Sequence, residues 1–259
     1  MTVFAGPFHL RYRALAQRPP ERLRLDEYYR LCHLPLVNPD HPEVIAGKPG
    51  TDYESGRYAA PRFSLVISID DAALHASPAY RQLLRRLRAA PFAGKIAWES
   101  YAQRLKSLHA TLRSNLQRDF RPEELRGALA RLRRLPSFRA RLTGPWYGDR
   151  NHGRLYLPLV PELRHGFDAC RRIQRAAGGP EIALYSVGLL NFRDHLTEAE
   201  TAALHAIMAA YRRRVLLEFE VTAIDLHATH DDLALDSRIV RRIPLRAQRQ
   251  PGESRDPAK

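Results

Sequence analysis

Cysteine and long apolar runs are the features that this sequence has least of. Its 259 residues include two cysteines, Cys32 and Cys170, which excludes a disulfide-stapled fold and any zinc site built from several cysteines. No apolar run approaches the roughly 18 residues that a membrane-spanning helix needs. The first residues lack the basic-then-apolar order of a signal peptide. These absences predict a soluble cytoplasmic protein with no membrane partner.

Lysine is almost as scarce, because 38 of the 42 basic side chains are arginine and only four are lysine. With 28 acidic residues, the formal net charge is +14. Two explanations stay open: an arginine-rich codon usage, and an anionic partner whose phosphates the guanidinium groups bind in a bidentate manner. Charge by itself predicts nonspecific binding to polyanions and indicates no reaction.

The sequence also lacks the glycine motifs of nucleotide cofactor sites. Neither a P-loop nor a dinucleotide-binding fingerprint occurs, and the pair Gly178-Gly179 is interpreted as the end of a helix. No cofactor is therefore predicted.

An apolar content of 44% and a charged content of 27% are typical of a globular chain. Residues 1–58 are predicted to be an N-terminal extension, because residues 35–58 are rich in proline and glycine and show no sustained period. The extension could act as a lid. Residues 59–246 would form one domain, and the polar tail 247–259 is expected to be disordered.

Strand and helix patterns alternate through the predicted domain. Strands are predicted at 62–70, 105–114, 137–148, 153–160, 181–192, 216–229 and 237–245, and helices at 77–90, 121–135, 161–177 and 196–214. The order strand, helix, strand, strand occurs in residues 105–160 and again in residues 181–245, which indicates a weak internal duplication. We predict an α+β fold with two pseudosymmetric lobes of antiparallel sheet, helices on the outer faces and a groove between the lobes.

The tripeptide His-Ala-Thr occurs twice, at 109–111 and at 227–229. Residues i and i+2 of a strand point to the same face, so each copy places an imidazole beside a hydroxyl. Two facing copies could act on a phosphodiester. One of His109 and His227 would take a proton from the attacking hydroxyl or water, and the other would protonate the leaving oxygen. The hydroxyls of Thr111 and Thr229 would donate to the non-bridging oxygens.

These residues make the sequence similar to the 2H phosphoesterase superfamily, best known from bacterial RNA 2′,3′-cyclic phosphodiesterases. Three segments within residues 62–245 carry the resemblance: RFSLVISID (62–70), SLHATLRSNL (107–116) and the closing strand pair. The resemblance implies two pseudosymmetric α+β lobes, each with an H-x-T/S motif on an inner strand. It also implies that His109 and Thr111 form the first of these motifs.

The second motif does not stand where the family has it. Both the family order and the internal repeat place that motif before the last helix, where Ser186 and Gly188 align with His109 and Thr111. The expected histidine and threonine are missing there. The second His-Ala-Thr comes one strand later.

Strand alternation offers a replacement for the missing pair. Ile224 and Leu226 form an apolar face, so His227 and Thr229 would point toward the groove. We hypothesise that they act from a strand adjacent to the one that lost the motif, whose small residues leave room. A phosphate that contacts both histidines requires the imidazoles of His109 and His227 to lie within about 10 Å of each other.

Simpler interpretations of the histidines stay open. His109 could be an ordinary core or surface residue, and His227 could be a structural residue at a strand end. His230, Asp231 and Asp232 have side chains that bind metals. Such a cluster is more often a solvated loop, so no metal is predicted.

Five further residues could bind substrate beside the groove: Arg113, Trp146, Tyr147, Tyr185 and Ser186. Arg113 continues the face of the first motif and could hold a phosphate, although a surface arginine is an equal explanation. Trp146 and Tyr147 could stack on a base or pack against the protein. Tyr185 could donate a hydrogen bond to substrate or belong to the core. Ser186 lacks the setting of a nucleophile.

The predicted function is a metal-independent phosphodiesterase acting on a nucleotide or RNA-type substrate, such as a cyclic phosphate or a 2′–5′ linkage. Its expected ligands are that substrate and a phosphate or sulfate ion in the groove, and no obligate protein partner is indicated. One alternative is a non-catalytic RNA- or nucleotide-binding member that has lost its second motif. Another is transfer or cyclisation of a phosphorylated small molecule on the same fold.

Overall fold

The computed structural model describes residues 2–6, 20–116, 122–148, 151–182 and 184–247. The tail predicted at 247–259 lies outside these ranges apart from its first residue. The α-helices in the described ranges are α1 (Glu27–Cys32), α2 (Leu34–Val37), α3 (Asp71–Ala76), α4 (Pro78–Arg88), α5 (Trp98–Arg104), α6 (Pro122–Leu132), α7 (Ala169–Ala176) and α8 (Glu198–Tyr211). None of the helices in these ranges combines the length and the apolar character that crossing a bilayer requires.

The strands occur between and after these helices along the chain. They are β1 (Tyr53–Glu54), β2 (Arg57–Ser68), β3 (His109–Arg113), β4 (Phe138–Thr143), β5 (Trp146–Tyr147), β6 (Arg154–Pro161), β7 (Leu163–Arg164), β8 (Phe167–Asp168), β9 (Ser186–Asn191), β10 (Val215–Val221), β11 (Ala223–Asp231) and β12 (Ser237–Pro244).

Ten of the strands form one antiparallel sheet. Its order is β10-β4-β6-β9-β3-β2-β11-β12, with β1 added to β2 and β5 added to β6. The remaining strands, β7 and β8, form a separate hairpin. The predicted α+β class and antiparallel pairing are confirmed, whereas the division into two pseudosymmetric lobes stays a prediction.

The sheet curls so that its two ends approach each other. β10 is an edge strand, yet a single residue, Thr222, links it to β11 near the opposite edge. The backbone N–H of Ser137, just before β4, donates to the carbonyl of Arg246, just after β12, at 2.8 Å. The prediction of one strand over 216–229 is therefore wrong. The apolar pattern runs through two strands, β10 and β11. The Thr222 carbonyl between them accepts a hydrogen bond from the N–H of Leu245 at 2.8 Å, which holds the turn in place.

The first half of the predicted helix 161–177 is also wrong, because residues 163–168 form the β7–β8 hairpin. His165 and Gly166, at its tip, have φ angles of 52° and 78°, which suits the tight turn between two antiparallel strands. Asp168 then accepts from the backbone N–H of Arg171 at 2.8 Å. This cap starts α7 at Ala169, later than predicted from the apolar pattern.

Two other predicted helices have the caps and the buried stripe that their sequences indicate. The Ser77 side chain caps α4, and Leu83, Leu84 and Leu87 form its buried stripe. α8 begins with the predicted capping box between Thr197 and Glu200.

The described part of the N-terminal segment packs into the core. Leu23, Tyr29 and Leu34 are fully buried and belong to the same apolar cluster as the sheet. The hydroxyl of Tyr29 donates to the carbonyl of Phe192, at the end of β9, at 2.6 Å. The domain boundary expected after residue 58 falls inside β2.

Candidate active site

The two His-Ala-Thr histidines meet in one open cavity of about 350 Å³. The polar side chains that line this cavity include Ser68, Gln103, Lys106, His109, His227 and Arg238. The ring centroids of His109 and His227 are 4.8 Å apart, with an interplanar angle of 62°. This separation lies within the limit that a shared phosphate sets.

The start of β3 positions His109. The predicted strand 105–114 begins later than expected, because Leu105–Ser107 form a 3₁₀ turn. The carbonyl of Ser107 at the end of this turn faces back toward the ring and accepts a hydrogen bond from Nδ1 of His109 at 2.7 Å. A neutral imidazole that donates from Nδ1 keeps a lone pair on Nε2. His109 is therefore held in the tautomer that can accept a proton at Nε2.

His227 reaches the same cavity from β11. The pairing of β11 with β12 is irregular between Leu226 and His227, and such a bulge redirects a side chain locally. β2 lies between β3 and β11, and its residues Ser68 and Ser64 pair with His109 and His227, respectively. The two histidines thus lie on one face of one sheet. The expectation that they face each other across a groove between two lobes does not describe this arrangement.

Burial keeps both imidazoles neutral. It lowers the pKa of His109 to about 3, and the neighbouring His227 adds to this effect because two charged rings would repel each other. Burial also lowers the pKa of His227, although the carboxylates of Asp225 and Asp231 act in the opposite direction. The free site therefore offers two neutral imidazoles near pH 7. The cations beside them are Lys106 and Arg238, whose side chains are exposed.

A buried carboxylate adjoins the cavity beside His227. Asp225 accepts two hydrogen bonds from Arg242, at 2.9 and 3.0 Å, and one from the hydroxyl of Ser68 at 2.7 Å. Burial raises the pKa of Asp225, but the hydrogen bonds from Arg242 and Ser68 outweigh it and hold the pKa below the usual range. The charged Asp225 thereby orients Ser68, which lines the cavity.

The two threonines have different positions. The hydroxyl of Thr229 donates to the carbonyl of Asp231 at 2.8 Å and accepts from its backbone N–H at 3.3 Å. Thr229 therefore stabilises the turn after β11. Thr111 is half-buried on β3, opposite Val66 of β2. Neither threonine lines the cavity.

Arg113 and Tyr185 lie away from the cavity. Arg113 is buried, and its guanidinium donates to the carbonyl of Ala177 at 3.0 Å while packing against Gly179. Tyr185 is fully buried, and its hydroxyl donates to Asp168 at 3.1 Å. Both side chains therefore hold α7 against the sheet.

Trp146 and Tyr147 pack against the protein. The ring of Trp146 stacks on Tyr156 with centroids 5.4 Å apart, and the ring of Tyr147 stacks on His205 at 5.8 Å. Neither aromatic residue lines the cavity.

β9, where the resemblance places the second motif, adjoins β3 and not β11. Ala110 pairs with Val187, which sets Ser186 beside Thr111 and Gly188 beside His109. Between β9 and β11 lie β3 and β2, so the expectation that His227 acts from a strand adjacent to β9 is wrong. Residues 216–229 were predicted as one strand but form parts of β10 and β11, which lie at different positions in the sheet. The sequence order therefore did not indicate the neighbours of β11.

The space over Gly188 is occupied by another side chain. The guanidinium of Arg154 lies where a Cβ of residue 188 would stand. Arg154 donates to Nε2 of His33 and to the carbonyl of Asp232, both at 3.1 Å. Arg104 donates to the carbonyl of Gly188 at 2.8 Å. Two buried arginines, Arg104 and Arg154, thus contact Gly188 on the strand that adjoins β3.

The carboxylates that follow His230 serve the protein itself. Asp231 accepts from the backbone N–H groups of Leu233, Leu235 and Asp236 at 2.8–3.1 Å. Asp232 accepts hydrogen bonds from three tyrosine hydroxyls, those of Tyr28, Tyr53 and Tyr58. Within the described part of the chain, no three histidine, cysteine or acidic side chains are grouped as a metal site requires.

Sequence reasoning missed six polar residues of the cavity: Ser68, Gln103, Lys106, Ser107, Ser237 and Arg238. Lys106 had a signal, because it is one of four lysines and stands three residues before His109. Arg238 is one of 38 arginines, and nothing in the local pattern separates it from the others. Ser68 had no signal beyond its place at the end of a predicted strand.

No model of a known protein family matches the sequence, and no curated protein matches it. Among the solved structures similar to the chain are two of low sequence identity. One, described as the crystal structure of TT0787 of Thermus thermophilus, is covered over 100% of its length by 73% of this chain, at 19% identity and a TM-score of 0.45. The other, described as the crystal structure of a phosphoesterase, is covered over 99% by 72% of this chain, at 15% identity and a TM-score of 0.35.

Proposed function

We propose that the protein is a metal-independent phosphodiesterase in which His109 and His227 exchange protons with a nucleotide or RNA-type phosphodiester. The observation that carries the proposal is the pair of imidazoles 4.8 Å apart in an open cavity with Lys106 and Arg238. Two imidazoles at this separation can contact two oxygens of one phosphate. The two cations supply charge for its non-bridging oxygens.

The hydrogen bond from Nδ1 to the Ser107 carbonyl supports His109 as the base. Because Nε2 of His109 is free to accept, His109 takes the proton of the attacking hydroxyl or water. His227 gives a proton to the leaving oxygen. A bound phosphate anion favours this protonated form of His227, since an adjacent negative charge raises the pKa of an imidazole. In a 2′,3′-cyclic phosphate or a 2′–5′ linkage, the oxygen of water forms a bond to phosphorus as its proton passes to His109. The bond from phosphorus to the leaving ribose oxygen breaks, and that oxygen takes the proton of His227.

The test is hydrolysis of 2′,3′-cyclic nucleotides, and of a short RNA with a cyclic-phosphate end, by the EDTA-treated protein. We expect His109→Ala and His227→Ala each to lower kcat by about 100-fold or more, which is the effect of removing a general acid or base. His205→Ala is the matched control, because His205 is half-buried but lies against Tyr147 outside the cavity. Turnover by both active-site variants within about threefold of wild type would show that the proposal is wrong.

The second candidate is a nucleotide- or RNA-binding protein without turnover. Two observations favour it: Arg154 occupies the position over Gly188, where the second motif is missing, and both cavity imidazoles have lowered pKa values. Binding of a cyclic nucleotide to wild type, lost in Lys106→Ala and Arg238→Ala but with no product formed, would select this candidate.

A further inference from the structure

Seven exposed arginines lie together where α4 meets the end of α8. We call them the arginine patch, and its members are Arg81, Arg85, Arg86, Arg88, Arg212, Arg213 and Arg214. The two groups are in contact. Arg214 donates to the side-chain oxygen of Gln82 on α4 at 2.9 Å, and the guanidinium of Arg86 lies 5.9 Å from the ring centroid of Tyr211. The two groups of arginines are therefore neighbours on the surface.

The patch carries no negative charge of its own. The sequence has no acidic residue between Asp71 and Glu99, and none between Glu200 and Glu218. None of the seven arginines forms an ion pair with any residue that the structure describes. Some exposed arginines elsewhere are paired, such as Arg139, whose partner is Glu218.

Folding explains only part of this accumulation of charge. Arg85, Arg86 and Arg88 lie in the last turn of α4, where the helix dipole favours cations. Arg81 donates to the carbonyls of His75 and Ala76, at 2.9 and 2.6 Å, and so caps the end of α3. The guanidinium of Arg88 lies 4.4 Å from the ring centroid of Trp98. Arg86 and Arg214 lie 5.9 and 4.9 Å from the centroid of the same Tyr211 ring, so each makes a cation–π contact. The two guanidinium groups around one ring also repel each other. A bound anion would relieve that repulsion.

The chemistry of the patch identifies its partner. Guanidinium groups bind phosphates in a bidentate manner, and rows of them match the repeated phosphates of a nucleic acid. A membrane is disfavoured because the apolar stripe of α4 (Leu83, Leu84 and Leu87) is buried in the protein and cannot insert into a bilayer. No member of the patch lines the cavity of His109 and His227. We propose that the arginine patch is a second binding surface, which holds the phosphate backbone of a nucleic acid independently of the proposed catalytic site.

The test compares two charge-reversal variants of the full chain by fluorescence anisotropy with a labelled oligouridine of ~20 nucleotides over a range of salt concentrations. The patch variant combines Arg85→Glu, Arg212→Glu and Arg213→Glu, whose side chains are exposed. The control combines Arg133→Glu, Arg134→Glu and Arg172→Glu, which are exposed on α7 and after α6. Both variants have the same net charge, and circular dichroism checks that both are folded.

We expect the patch variant to bind at least ~10-fold more weakly at low salt, and its slope of log K against log[salt] to fall by about 2, as loss of three phosphate contacts to a single strand predicts. The control should stay within about threefold of wild type. Equal weakening in both variants would overturn the proposal, because net charge alone would then explain binding.

Two further outcomes would show that the partner of the arginine patch is not a nucleic acid. Patch-dependent binding to phosphatidylserine vesicles without binding to the oligonucleotide would replace it with a membrane surface. Displacement of the oligonucleotide by polyglutamate of equal charge at equal concentration would replace it with an acidic protein partner. Hydrolysis of cyclic nucleotides by the patch variant is a separate readout, so the failure of either proposal leaves the other standing.

Discussion

At the scale of single residues, protonation decides what the cavity can do. His109 must be neutral to act as base, and its pKa near 3 satisfies this condition over the whole neutral range. His227 must be protonated to act as acid, and its pKa is also lowered from 6.5. The proposed acid is therefore the group that limits activity as the pH rises.

This difference predicts an acidic pH optimum. The fraction of free protein with neutral His109 and protonated His227 falls as the pH rises through the lowered pKa of His227. Since kcat/KM reports the pKa values of the free enzyme, its alkaline limb should lie below about pH 6.5, with a roughly tenfold loss per further unit. The measurement is kcat/KM for a 2′,3′-cyclic nucleotide between about pH 4.5 and 9. A rate that is constant over the alkaline half of this range would contradict the assignment of His227 as the acid.

The sequence carried enough information to find the histidines but not their surroundings. His109 and His227 stand out because a tripeptide repeats, and repetition is visible without a fold. Arg154 and His33 do not stand out, because their contact joins residues 121 positions apart. Thr229 shows the opposite failure: it repeats with His227, but its hydroxyl is used by the turn that follows β11.

At the scale of elements, two glycines have opposite packing requirements. Gly144, between β4 and β5, lies against the backbone at the end of α8, and a Cβ there would overlap the carbonyl of Tyr211. Gly127 lies inside α6, where a Cβ would make only an ordinary contact at 3.5 Å. The backbone of α8 cannot move without disturbing its packing, whereas α6 gains a better helix former.

Alanine at these two positions should therefore change stability in opposite directions. Gly144→Ala should lower the free energy of unfolding by about 1–3 kcal/mol, as overpacking does. Gly127→Ala should raise it by up to about 1 kcal/mol, which is the difference in helix propensity. Urea denaturation of both variants measures the two changes. A Gly144→Ala protein as stable as wild type would show that the α8 end does not pack closely on the β4–β5 turn.

Helices that begin at a capping residue were predictable from the sequence. Elements whose bounds depend on contacts between distant residues were not. Ser77 and Thr197 cap the helices that their sequence motifs predict. The β7–β8 hairpin lies inside the helix predicted over 161–177, and His165 and Gly166 at its tip have positive φ angles that a helix does not contain. The hairpin ends and α7 begins at Asp168, whose side chain accepts from the backbone N–H of Arg171.

At the scale of the whole molecule, the curl of the sheet places the site. β10 and β11 are joined by one residue, yet β11 joins the half of the sheet that contains β2 and β3. His227 reaches His109 only because of this crossing. The strand order depends on pairing between residues far apart in the chain, so no local pattern indicated it.

The role of the N-terminal segment provides the last prediction, because a lid and an integral part of the core respond differently to mutation. Tyr29 is fully buried, stacks on His33 with centroids 5.2 Å apart and bonds to Phe192, while neighbouring Tyr28 is 44% exposed. Tyr29→Ala should lower the free energy of unfolding by about 3–5 kcal/mol, as removal of a large core side chain does. Tyr28→Ala, the matched control, should stay within about 1 kcal/mol of wild type. Thermal and urea unfolding decide between the roles: if Tyr29→Ala unfolds like wild type while turnover of larger substrates rises, the segment is a separable lid. A large loss of stability means that the domain folds around it.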